Sequence, residues 1–104
     1  MKPIQFHGST LQVIRAFPVG ARRSAGHQLD RIQRGLDPLD WKPMNRIGRG
    51  VRELRIRDNG QYRIIYLAVR EEAVHVLHAF RKKARKTRQR DMDIARSTFK
   101  RLVN

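Results

Sequence analysis

The stretch from Arg49 to Lys86 limits the possible folds more than any other part of the chain. Leu54 and Ile56 alternate with Glu53, Arg55 and Arg57. One face is apolar and the other charged, which predicts a half-buried strand. Asp58-Asn59-Gly60 supplies a turn, and the run after it predicts the return strand. Both faces of that second strand are apolar from Ile64 onward, so it belongs in the middle of a sheet. Only Arg63 interrupts it, and a charge on a central strand needs a reason. Ala73 to Phe80 predicts a third strand, which runs directly into Arg81-Lys82-Lys83. The three make an antiparallel meander with cations on it and just beyond it.

Helices and one more strand flank the meander. Ile4 and Phe6 alternate with Gln5 and His7, a short first strand that Gly8-Ser9 breaks. Ser9 or Thr10 can cap a helix through its side-chain oxygen, with Leu11, Ile14 and Phe17 on one face. Pro18 ends that helix or opens the next. Ala21, Ala25, Leu29 and Ile32 predict a second helix to about Arg34, with Gly35 as its left-handed cap. Leu36 to Met44 holds Pro38 and Pro43 and predicts an ordered loop, with Trp41 plugging the edge of the core. Gly48 and Gly50 permit a tight bend before the meander. Met92, Ala95, Phe99 and Leu102 predict a last helix, whose dipole Asp91 and Asp93 suit. The expected fold is α+β, in the order β-α-α-β-β-β-α. A helical hairpin packs on a twisted, mainly antiparallel sheet, all within one domain spanning residues 1–104.

Charge narrows the partners. The chain has 24 Lys and Arg against 9 Asp and Glu, a formal net charge of +15. Self-repulsion of that size costs stability, and a polyanionic partner relieves it. Nucleic acid, ribosome or an acidic protein all fit, and the plainest alternative is a merely soluble basic surface. Clustered arginine is the usual electrostatic footprint of nucleic-acid binding. The chain has no cysteine, so it has neither a disulfide framework nor a thiolate metal site. Its longest apolar run, Ile64 to Val69, is too short to span a bilayer, and Met1 to His7 lacks the apolar core of a signal peptide. A cytoplasmic protein without membrane contact is the expectation.

The chemistry available is narrow too. His7, His27, His75 and His78 lack metal-ligand spacing with suitable carboxylates. His75 and His78 stand three apart on a predicted strand, so strict alternation sends them to opposite faces. Neither a G-x-S-x-G nor a G-x-x-x-x-G-K-[ST] motif occurs. What remains is a metal-free, cofactor-free site built from Arg, Lys and His. Such a site suits RNA, which carries its own nucleophile in the 2′-hydroxyl. Arg55, Arg63 and Lys82 are candidates to stabilise the charge of a phosphorane, because a guanidinium matches phosphate geometry. Arg57, Arg81, Lys83, Arg85 and Lys86 are candidates for flanking phosphates. Imidazole is the ordinary side chain for proton exchange near neutrality, which makes His78 the candidate acid or base. A packed, inert histidine is the alternative. Glu53 could act as a base but reads more simply as an ion-pair partner that spaces Arg55 and Arg63, and Tyr62 and Tyr66 read as core, with Tyr66 the weaker candidate for stacking on a base.

Four blocks carry a resemblance: W-K-P-M at Trp41 to Met44, G-V-R-E-L-R at Gly50 to Arg55, Y-R-I-I-Y at Tyr62 to Tyr66, and V-L-H-A-F-R-K-K at Val76 to Lys83. Together they resemble the phage-derived Gp49-like branch of the RelE/ParE toxin superfamily, which includes HigB-type toxins. The resemblance implies a RelE-like fold and a type II toxin that cleaves mRNA on the ribosome. It also implies a cognate antitoxin with a helix-turn-helix domain, whose acidic segment would neutralise the basic surface. Two other functions stay open: a ParE-like inhibitor of DNA gyrase that cuts nothing, and a plain nucleic-acid-binding module. Some members of the nuclease branch place a tyrosine or histidine beyond the basic end of the last strand. This chain has Thr87, Arg88 and Gln89 there.

Overall fold

The structure, a computed structural model, describes residues 1–83, 85 and 88–104. Candidate Lys86 lies outside the described residues. In chain order the elements are β1 (Ile4–Phe6), α1 (Thr10–Arg15), α2 (Val19–Gln33), β2 (Trp41–Pro43), β3 (Val51–Arg57), β4 (Gln61–Leu67), β5 (Val74–Lys82) and α3 (Gln89–Val103). The strands form one open five-stranded sheet in the order β1-β5-β4-β3-β2. The β1–β5 pair is parallel and the others are antiparallel. The fold is therefore α+β with a mostly antiparallel sheet.

The turn between β3 and β4 follows from its residues. Asn59 has φ 51° and Gly60 φ 149°, values that asparagine and glycine tolerate best. β4 is central, and Tyr62 to Leu67 are buried. Gly35, at φ 84°, ends α2 as its position predicts. Its N–H donates to the Ile32 carbonyl at 3.0 Å, and the Leu36 N–H to Arg31 at 2.9 Å, the paired closure of a Schellman motif.

Two expectations change. The segment from Leu36 to Met44 is not only loop: Trp41, Lys42 and Pro43 pair with Leu54, Glu53 and Arg52 as an edge strand. Proline is tolerated there because the outer side of an edge strand needs no donor. The element order thus holds one more strand than the sequence suggests. Trp41 does sit at the edge, half-buried, with the Arg52 guanidinium 3.8 Å from its ring centre. The second change concerns α1. Ser9 stands at the cap position but makes no side-chain cap bond, and the buried Thr10 hydroxyl has no partner among the described residues. Only backbone closes this end, with Thr10 N–H donating to His7 O at 3.2 Å.

Each face of the sheet has its own core. On one, Ile14, Phe17, Ala21, Ala25, Leu29 and Ile32 of the helical pair region pack on Leu54, Ile56, Tyr62 and Ile64. On the other, Met92 and Ala95 of α3 pack with Val51, Ile65, Leu77 and Phe80. Gly48 serves this second core by close approach, because an added Cβ would overlap the Phe99 ring. Gly48→Ala is accordingly expected to lower stability by about 1–3 kcal/mol through overpacking. Gly26→Ala, inside α2 where a Cβ meets nothing within 4 Å, is expected to raise it by up to ~1 kcal/mol. Urea unfolding checks both, and a wild-type midpoint for Gly48→Ala would mean that Phe99 is not seated there.

Candidate active site

A bulge in β5 decides which side chains meet. Strict alternation would send His78, Phe80 and Lys82 to the face of Val74 and Val76, under the helical pair. Instead Tyr66 pairs with Val76 and Ile65 with His78, which leaves Leu77 as an extra residue. Beyond Leu77 the alternation is reversed. Three rows then run across the face opposite the helical pair: Arg57, Gln61 and Lys82; Arg55, Arg63 and Phe80; Glu53, Ile65 and His78. The same bulge corrects the expectation for the histidines. His75 pairs with Leu67 and His78 with Ile65, which share a face, so the two histidines do also.

Helix α3 covers this face near Ile65 and Phe80. Toward the β3–β4 turn lies a groove of about 530 Å³. Arg55, Arg57, Arg63, Lys82, Lys83 and Arg85 line it, so six of the sequence candidates share one surface. Arg81 reaches its rim, but Arg81 pairs with Tyr62, and its guanidinium lies 5.7 Å from the Tyr62 ring centre, toward the helical pair.

Arg63 is placed differently from the others. It and Glu53 are each 1% exposed, with Arg63 Nε 3.4 Å from Glu53 Oε1. That pair is ionic contact rather than a hydrogen bond, since Nε has no bond in good geometry. Nη1 donates to the Tyr62 carbonyl at 3.1 Å and Nη2 to Gln61 Oε1 at 2.8 Å. Arg63 is thus a fixed cation in the floor of the groove. Arg55 is half-buried and stands 3.9 Å from Asp40 Oδ1, with its Nε unpartnered among the described residues. Lys42 approaches the same Glu53 oxygen at 3.9 Å. Lys82 is held below the ordinary lysine pKa, first by desolvation and then by Arg63. Lys42 and Arg55 act in the same direction, and Glu53 opposes them. The neutral amine is thus more accessible at Lys82 than at a free lysine.

Lys82 also borders a second depression, of about 340 Å³, with His78, Phe80, Arg88 and Asp91. His78 Nε2 lies 2.7 Å from Asp91 Oδ1, and its ring stacks on Phe80 with centres 5.4 Å apart. A carboxylate on one imidazole nitrogen fixes the ring's orientation and leaves the other nitrogen for exchange. Asp91 is in the first turn of α3, where free backbone N–H groups favour a carboxylate. The sequence pattern ties Asp91 to the helix dipole and gives no sign of its contact with His78. His75 belongs to a separate chain of contacts: His7 Nε2 is 2.9 Å from its Nδ1, and Glu72 Oε2 is 2.9 Å from its Nε2. Glu72, bonded by His75 and Arg70, is held down to a pKa of about 2. Among the described residues no group of three or more His, Asp or Glu side chains is placed to hold a metal ion. No helix among them is long and apolar enough to cross a membrane.

Fold and groove together define a small α+β protein with a cationic groove at one end of its sheet. The chain matches the family described as Phage derived protein Gp49-like over residues 12–100, and it belongs to that family. The family lies within the RelE/HigB toxin superfamily. It points to the toxin module of a toxin–antitoxin system, which implies a cognate antitoxin. No curated protein and no solved structure matches the chain.

Proposed function

We propose that this protein is an endoribonuclease toxin, a single RelE-like domain that cleaves mRNA in the cytoplasm with the ribosome's help. The observation that carries the reading is the Leu77 bulge, which brings Lys82 and the His78–Asp91 pair to the face of Arg55 and Arg63. In this reading the RNA backbone lies along the groove. Arg57, Lys83 and Arg85 hold flanking phosphates, with Arg81 at the rim. A base takes the 2′-hydroxyl proton, and the 2′-oxygen attacks the adjacent phosphorus. The bond to the 5′-oxygen breaks, and an acid returns a proton to that oxygen. Arg55 and Lys82 contact the phosphorane, and Arg63 adds its charge from below without touching the RNA. Charge fixed in place before reaction is commonly the largest catalytic contribution. His78, held by Asp91, and Lys82, with its lowered pKa, are the two groups able to move protons. Among the described residues the lining of the groove holds no aromatic side chain on which a base could stack, which favours a substrate shaped by the ribosome. The antitoxin would be of the helix-turn-helix type.

Controlled expression followed by mapping of transcript 5′ ends tests this. New in-frame cuts support it. Intact transcripts with a DNA-damage response would transfer the protein to the gyrase-inhibitor reading. That reading draws on the burial of Arg63, which leaves fewer cations open to a scissile phosphate. A further expectation concerns binding. Charge reversal at Lys83 and Arg85 should flatten the salt dependence of RNA or ribosome association, by roughly 0.7–0.9 in slope for each phosphate no longer held. Single-turnover cleavage at saturating ribosome should change less. A slope equal to wild type would place these side chains away from the RNA.

A further inference from the structure

A smaller depression, of about 230 Å³, lies at the other end of the β3–β4 hairpin, lined in part by Lys2, Leu36, Asp37, Arg52, Tyr66 and Val69. Arg52 and Tyr66 are directly paired across β3 and β4, on the face of the helical pair. Three features there have no role in the groove. Tyr66 is 1% exposed, and its hydroxyl is approached by the Arg52 guanidinium but finds no acceptor for its own proton in good geometry among the described residues. A buried hydroxyl in that state is costly, and a ligand acceptor would relieve it. The Arg52 guanidinium carbon lies 3.8 Å from the centre of the Trp41 ring, and its Nη1 donates to Asp37 Oδ1 at 2.8 Å. Beside them Leu36 and Val69 are 51% and 66% exposed.

We propose that this depression receives an acidic, aliphatic segment of a partner protein. One carboxylate accepts from the Tyr66 hydroxyl and the Arg52 guanidinium, and a neighbouring aliphatic side chain covers Leu36 and Val69. The net charge of +15 draws such a segment in. A nucleic acid fits poorly, because a sugar-phosphate chain brings no aliphatic group to the two exposed side chains. Burial raises the Tyr66 pKa above its ordinary value against the pull of Arg52, so the phenol keeps the proton it would donate. The proposal is independent of the nuclease reading, since no residue in it belongs to the groove.

The chain has one tryptophan, Trp41, directly under Arg52, so its fluorescence reports occupancy. The probe is a blocked peptide of alternating leucine and glutamate, and the control carries glutamine for glutamate. The glutamate peptide should give a saturable change in Trp41 emission, with the glutamine peptide at least tenfold weaker. Tyr66→Phe keeps the ring and the net charge, and should weaken binding about tenfold, the value of one hydrogen bond to a charged group. Val69→Ser, at an exposed position, should weaken it severalfold and serves if Tyr66→Phe fails to fold. An RNA oligonucleotide that fills the groove should not displace the peptide. Wild-type affinity in both variants, equal binding of the glutamine peptide, or displacement by RNA would each overturn the proposal.

Discussion

Arg63→Ala is expected to cost about 3–5 kcal/mol of folding stability, because it takes a cation away from a buried carboxylate. Glu53 and Arg63 are both 1% exposed, so the loss falls on a buried carboxylate that keeps the more distant Lys42 at 3.9 Å. Small domains have about 5–15 kcal/mol in total, so the variant should unfold at much lower urea and accumulate poorly. A loss of growth arrest in Arg63→Ala therefore says nothing by itself about catalysis. The double variant Glu53→Leu, Arg63→Met separates the two effects. Replacing both members of a buried ion pair by apolar groups is often neutral or stabilising. The double variant should recover most of the stability but not the cleavage, if the floor charge under Arg55 and Lys82 matters to the reaction. Recovery of both would reduce Arg63 to a structural residue. A single Arg63→Ala with the wild-type urea midpoint would contradict its burial.

The difference between Arg63 as read and Arg63 as found shows how far alternation reaches. A lone charge on an apolar strand signals that a partner exists. Glu53 could be named as an ion-pair partner, but alternation does not say that the pair would be buried, one strand over and one row along, with Glu53 between Ile65 and Lys42. The β3–β4 hairpin was legible because its alternation and its Asp58-Asn59-Gly60 turn agree, and α2 because its apolar spacing ends at a glycine. β2 was hidden by its length and by Pro43, which is allowed only because the strand lies at an edge. The bulge left no trace either. Val74 to Phe80 is apolar on both faces apart from its histidines, so an extra residue at Leu77 disturbs no visible pattern. Yet that residue selects the face of His78 and Lys82. The ingredients of the candidate site could be read from composition, whereas their assembly depends on one irregularity and on the docking of α3, which brings Asp91 to His78 across 13 residues.

If Lys82 and His78 divide the proton transfers of the proposed cleavage, substitution can resolve which does what. If Lys82 acts only as a charge, Lys82→Arg should retain most of the cleavage that Lys82→Ala loses, roughly 10²- to 10³-fold for one oriented donor. If Lys82 works as the base, Lys82→Arg should be as damaging as Lys82→Ala, because a guanidinium does not give up its proton. The direction of its pKa shift favours the second outcome. Lowering the pKa enlarges the neutral fraction at any pH below it, so the rate should rise with pH and level off earlier than an ordinary lysine allows. His78 would then be the acid. His78→Gln should slow cleavage ~10²- to 10⁴-fold, the usual range for a general acid or base. Asp91→Asn keeps the shape but removes the charge that orients the ring, and should show a smaller loss than His78→Gln. Binding of RNA should be little changed in both, which distinguishes chemistry from a loosened α3. Full activity in His78→Gln would return that ring to a packing role on Phe80 and leave Lys82 as the one proton carrier in the groove.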